Sequence, residues 1–163
     1  MVNLKFPAIS SKTILYLCVL VVIVIALTKI DLRREASITQ PTDYYIDVIG
    51  NVPITNKKVP IEVTMGRKKD LFVSGWAVDE RSKLPAGSVE VNIDGKLFST
   101  TYGLDRPDVA KAYEVPAYRF TGFQTMIPVA EIGRGEHLMS IKIFTNNKKA
   151  YYPAGDSIKF EIK

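Results

Sequence analysis

The chain has a single cysteine, Cys18, in 163 residues. No intrachain disulfide can form, so the fold must rest on apolar packing. Histidine and tryptophan also occur once each, as His137 and Trp76. Triad-type catalysis needs a base beside a nucleophile, and a metal site needs several ligands, so one histidine supports neither. The G-x-S-x-G, P-loop, H-E-x-x-H and paired-cysteine patterns are missing as well. Ser10-Ser11 and Ser99-Thr100-Thr101 have no base placed near them in a known pattern. Concentrated charge is equally scarce. The chain carries +5 overall, and residues 44–163 hold 17 Lys/Arg against 14 Asp/Glu, a net of +3. A nucleic-acid binder needs a basic stripe. The runs Lys57-Lys58, Arg67-Lys68-Lys69 and Lys148-Lys149 are short and read as solvated turns. The sequence therefore points to a non-enzyme that takes no cofactor and no metal and binds no nucleic acid.

What is present begins at the N-terminus. Residues 1–12 form a short tail, followed by the uncharged run Ile14 to Leu27. Fourteen helical residues rise roughly 21 Å, less than a bilayer core of about 30 Å. Extending the run to Ile9 at one end and Leu32 at the other supplies the length if Lys12 and Lys29 snorkel, with Tyr16 in the interfacial band; the span itself is taken as residues 13–32. A cleaved signal peptide has an apolar region of similar length. Ala26 and Ala36 make poor cleavage sites, however, and Leu17 before Cys18 does not suit a lipoprotein site. The reading is an uncleaved signal anchor in the lipid bilayer. Basic residues lie on both sides of the span, so charge alone sets no orientation. Residues 33–43, ending at Gln40-Pro41-Thr42, read as a juxtamembrane stalk.

From residue 44 to 163 the pattern turns to strands. Tyr44 to Ile49, Pro60 to Thr64, Gly122 to Ile127, the run holding Met139, Ile141 and Ile143, and the run holding Ile158, Phe160 and Ile162 each read as one. Phe72, Ser74, Trp76 and Val78 alternate on one face, and Val89, Val91 and Ile93 on another. Asp94-Gly95 then predicts a type I′ hairpin returning through Lys96 to Tyr102. Pro107, Asp108 and the stop at Pro116 predict one or two helical turns within Tyr102 to Tyr113. Seven or eight short strands predict an all-β, antiparallel β-sandwich.

Gly75-Trp76-Ala77-Val78-Asp79, the valine-rich strand ending in Asp94-Gly95, and YGLDRPDVA with Tyr113 resemble a bacterial immunoglobulin-like module. The likeness continues through Thr121-Gly122-Phe123 and Gly135-Glu136-His137. Such modules occur on extracytoplasmic proteins and beside envelope enzymes, including some sugar-transfer proteins. The resemblance implies an immunoglobulin-like sandwich outside the cytoplasmic membrane, on a single-pass anchor. It implies no shared chemistry.

Trp76 reads as core, with a sugar-stacking platform beside Tyr102 and Tyr113 as the competing reading. His137 reads as structural. Among Asp79, Glu80, Asp94, Asp105 and Asp108, clustered oxygens could suit calcium. The spacing favours instead an Arg106–carboxylate pair and an Asp108 cap. Tyr102, Asp105, Lys111 and Tyr113 form the candidate interaction surface. The expected role is an interaction module accessory to a membrane or cell-envelope complex, including polysaccharide assembly, with another membrane or envelope protein as partner. The alternatives are a module that contacts glycan directly and a secreted form of the same domain.

Overall fold

The computed structural model describes residues 36–55, 60–65, 69–152 and 155–163. The 1–12 tail, the 13–32 span and the first residues of the expected stalk lie outside these. Among the described residues no helix is long and apolar enough to cross a membrane.

The chain from Glu35 to Lys163 forms one compact unit. Its strands are β1 (Ala36–Ser37), β2 (Tyr44–Ile49), β3 (Val52–Pro53), β4 (Ile61–Val63), β5 (Asp70–Asp79), β6 (Leu84–Pro85) and β7 (Ser88–Ile93), followed by β8 (Lys96–Ser99), β9 (Thr101–Leu104), β10 (Gly122–Pro128), β11 (Gly135–Phe144), β12 (Ala150–Tyr152) and β13 (Ile158–Ile162). The expected strands appear as β2, β4, β5, β7, β10, β11 and β13, and the expected return strand from Lys96 to Tyr102 is divided into β8 and β9. One sheet runs β1-β12-β11-β13-β4, with β7 pairing β11 and β8 pairing β7. The other runs β3-β2-β5-β10-β9, with β6 on β5. Pairing is antiparallel except β1 with β12 and β4 with β13, which are parallel. Those two pairs join early chain to late chain, so no hairpin imposes their direction.

The sheets share one core. Leu71, Val73, Ile127 and Phe123 from the second sheet meet Val91, Ile141, Met139 and Phe160 from the first. Met139, Ile141 and Ile143 all point inward, as their alternation predicts. At the hairpin, Asp94 and Gly95 both take positive φ, 51° and 89°, as a type I′ turn requires.

On β5 the predicted core face is the wrong one. Leu71, Val73, Gly75 and Ala77 face the core, while Phe72, Ser74 and Trp76 are only half-buried. Both faces of β5 carry apolar residues because both are covered at its C-terminal end. There Val78, Val109 and Tyr118 make a second small core, with Trp76 packed against it.

The segment expected as stalk also joins the folded unit from residue 36. Ile38 N–H donates to Tyr151 O at 2.8 Å, and Thr42 Oγ1 donates to Val78 O at 2.7 Å. A polar composition hid this, because Thr42 is buried through hydrogen bonds rather than apolar contact.

Candidate recognition surface

Between β9 and β10 the chain leaves the sheet as helix α1 (Pro107–Tyr113) and a 3₁₀ turn, Pro116–Phe120. Each opens on a proline, where a missing N–H costs nothing. Seven residues are too few for a stable isolated helix, so α1 depends on packing. Val109 is its buried side chain, seated against Val78 and Tyr118. The helix ends at Glu114, which takes a left-handed φ of 56°. Val115 N–H then reaches back to Ala110 O at 3.1 Å, closing the end as a Schellman-type cap does.

Arg106 fastens the segment to the sheet. Its Nη1 donates to Asp47 Oδ2 at 2.6 Å, and Nε and Nη2 donate to the two Asp108 oxygens at 2.9 and 2.7 Å. Asp108 therefore engages Arg106 and is not the helix cap, since Arg106 itself occupies the N-cap position without a side-chain cap bond. These contacts hold the Asp108 carboxyl below its ordinary range and push the guanidinium up. The path of Arg106 is fixed by glycine. A Cβ at Gly122 would stand 3.0 Å from Arg106 Cγ, and Gly122 pairs with Trp76. Asp47 sits in a bulge of β2 between Ile46 and Val48, which pair with Gly75 and Ser74. The Arg106–Asp47 bridge thus passes over β5 from β10 to β2. A second tie joins the ends of the segment, since Arg119 Nε donates to Asp105 Oδ1 at 2.7 Å and Arg106 N–H to Arg119 O at 2.5 Å.

Three of the four predicted surface residues fall on this segment. Asp105 is exposed and paired with Arg119, whose guanidinium lowers its pKa. Lys111 is exposed in the last turn of α1. Tyr113 is 37% exposed and packs edge-on against Trp76 and Tyr118. Burial, then Asp43, push that phenol up to about 12. Tyr102 does not belong with them. Its hydroxyl donates to Ala77 O at 2.7 Å and accepts from Ala86 N–H at 2.8 Å, and burial raises its pKa strongly. It is a brace between strands.

Sequence reasoning missed Phe120, which is 53% exposed with Arg119 Cζ 5.8 Å from its ring centre. Nothing in periodicity separates it from the strand residues after it. Asp47 was missed too, because its partner lies 59 residues away.

The remaining polar candidates hold structure. His137 Nδ1 lies 2.7 Å from Asp94 Oδ2, and Leu138 N–H donates to Asp94 Oδ1 at 2.8 Å. This ties the hairpin tip to β11, and the histidine pulls the Asp94 pKa down. Asp79 is buried and accepts from Asn146 N–H at 2.8 Å, from Ser82 N–H and from the Tyr152 hydroxyl. Burial alone would raise its pKa, but the donors outweigh it and the value falls. Among the described residues no three His, Cys, Asp or Glu gather as a metal set.

No family model and no curated protein matches the chain. Among solved structures, it is similar to the endo-beta-1,4-mannanase from Thermotoga petrophila at 13% identity and TM-score 0.42. The match covers 77% of this chain and 20% of that one, so the chain spans about a fifth of the enzyme's length.

Proposed function

We propose that this chain is a non-catalytic docking module of the cell envelope. It is carried by the 13–32 anchor, with an immunoglobulin-like domain on the outer side of the cytoplasmic membrane, and it binds another membrane or envelope protein. The observation that carries the reading is the build of the α1–3₁₀ segment. It is braced by Arg106 and by the Asp105–Arg119 pair, yet it presents Lys111, Arg119 and Phe120 outward, with one edge of the packed Tyr113 ring accessible beside them. Binding usually resides on connections held by a rigid scaffold. Aromatic side chains and arginine are the residues that dominate protein interfaces, and a pre-ordered segment avoids the entropy cost of ordering on contact. The envelope setting comes from the apolar N-terminal run and the module resemblance.

The test is affinity capture of the full chain from its own membranes in mild detergent. Phe120→Ala and Lys111→Ala should release a co-purifying partner and leave the melting temperature unchanged. Retention of the same partner by the double variant would refute the docking assignment.

A further inference from the structure

On the outer face of the second sheet, beyond the Arg106–Asp47 bridge, lies a groove with a different chemistry. Ser74 pairs with Gln124, and Gln124 with Thr101, so the three side chains stand in one row across β5, β10 and β9. The next row is Phe72 with Met126. Met126 is 58% exposed and Phe72 half-buried. Together with residues 99–101 and 124–125, these two line a cavity of about 600 Å³. They also border a second depression of about 280 Å³ that runs past Gly50 and Asn51 to Lys69 and Asp70.

Two features of the larger cavity select its occupant. First, no charged side chain lines it, although 24% of the chain is charged. An anionic polymer or lipid headgroup would find no counter-charge there. Second, Gln124 and Thr101, which line it, and Ser74, which adjoins Gln124 on β5 without lining the cavity, make no side-chain hydrogen bond to another described residue. Hydroxyl and amide groups each offer both donors and acceptors, and here they are unspent. Beside them, the Phe72 ring and the adaptable Met126 thioether give an apolar platform. A pyranose ring has the matching pair of properties, an apolar C–H face and a rim of uncharged hydroxyls. Neighbouring strands stand about 4.8 Å apart, so the polar row spans the width of one to two such rings.

We infer that this groove binds an uncharged glycan chain, with Phe72 and Met126 beneath a sugar face and Ser74, Gln124 and Thr101 holding its hydroxyls. The site is separate from the α1 surface and stands without the docking assignment.

The experiment is binding of the full chain, in mild detergent, to immobilised oligosaccharides in two sets. One set carries neutral hexoses and N-acetylhexosamines, the other uronates and sulfated sugars. Binding to the neutral set is expected. Gln124→Ala should weaken it about tenfold, the size of one lost hydrogen bond, and Phe72→Ala at least as much. Lys159→Ala, on β13 of the other sheet, should leave it unchanged. If Phe72→Ala lowers the melting temperature, Gln124→Ala and Ser74→Ala decide the outcome, because their side chains bond to no other described residue. Silence across the neutral set, binding confined to the acidic set, or retention within about twofold by Gln124→Ala and Ser74→Ala together would overturn the assignment.

Discussion

Removing the Arg106 side chain should loosen the α1–3₁₀ segment more than any other single exposed-face change. The guanidinium is 20% exposed and makes one bond to Asp47 and two to Asp108. A charge-assisted hydrogen bond in a partly buried setting contributes about 1.5–3 kcal/mol. Asp47 is 35% exposed, which argues for the lower end of that range. Asp108 is 63% exposed, so its pair is discounted to roughly 0.5 kcal/mol. The stem over Gly122 adds lost packing. Arg106→Ala should therefore cost about 2–3 kcal/mol. Urea unfolding of a 35–163 fragment reads this directly, with Trp76 emission as the probe because Trp76 packs on Tyr113. The sharper measurement is the double-mutant cycle. Arg106 should couple to Asp47 by about 1 kcal/mol, to Asp108 by about half that, and to Asp105 not at all, since Asp105 faces Arg119. A loss below about 0.5 kcal/mol, or stronger coupling to Asp105 than to Asp47, would show that Arg106 is no clamp.

Gly75→Ala should destabilise by about 3 kcal/mol, because its Cβ would stand 2.1 Å from Tyr45 O, a backbone atom with nowhere to go; a melting temperature equal to wild type would contradict the close approach of β2 and β5. Asp79 has a folded-state pKa below its ordinary value, so its stabilisation is complete above the unfolded pKa near 3.9 and is lost as pH falls through the lower folded value. Asp79→Asn should lose about 2 kcal/mol at neutral pH and decline less steeply than wild type below about pH 4, as acid titration followed by circular dichroism would show. Arg at both Val21 and Val24 should cost roughly 2.5–3.5 kcal/mol each and abolish insertion, and carbonate-washed membranes that still hold this variant would rule out the anchor.

The parts of the fold that could be read in advance are those written locally. Asp94-Gly95 names its turn through a φ requirement that few residue pairs meet, and both residues adopt it. Val89, Val91 and Ile93 alternate cleanly because Glu90 and Asn92 face away from the core. On β5 the same rule gave the opposite face. A strand covered on both sides loses the polar contrast that alternation relies on, and what covers β5 is α1, which arrives some thirty residues later. Gly75 held the missing clue. It lies on the core face between Val73 and Ala77, and a glycine inside a strand signals close backbone approach.

The candidate recognition surface follows the same division. That Arg106 would brace the segment was legible from a carboxylate two residues on, and Asp108 does accept from it. That its other partner would be Asp47 was not, because a bulge in β2 and a glycine on β10 jointly create the path, and neither announces itself in composition. Tyr102 misled for a related reason. Tyrosine suits interfaces because it pairs an apolar ring with a polar tip, and those same properties suit it to bridge two strands internally. The distinction lies in whether backbone groups wait at the end of the ring, and here Ala77 O and Ala86 N–H do. Exposure in a β-sandwich is decided by which neighbours topology delivers. The identity of Tyr113 or Phe120 was always in the sequence, but only the fold over Trp76 and Tyr118 turns one of them into a braced ring and leaves the other outward.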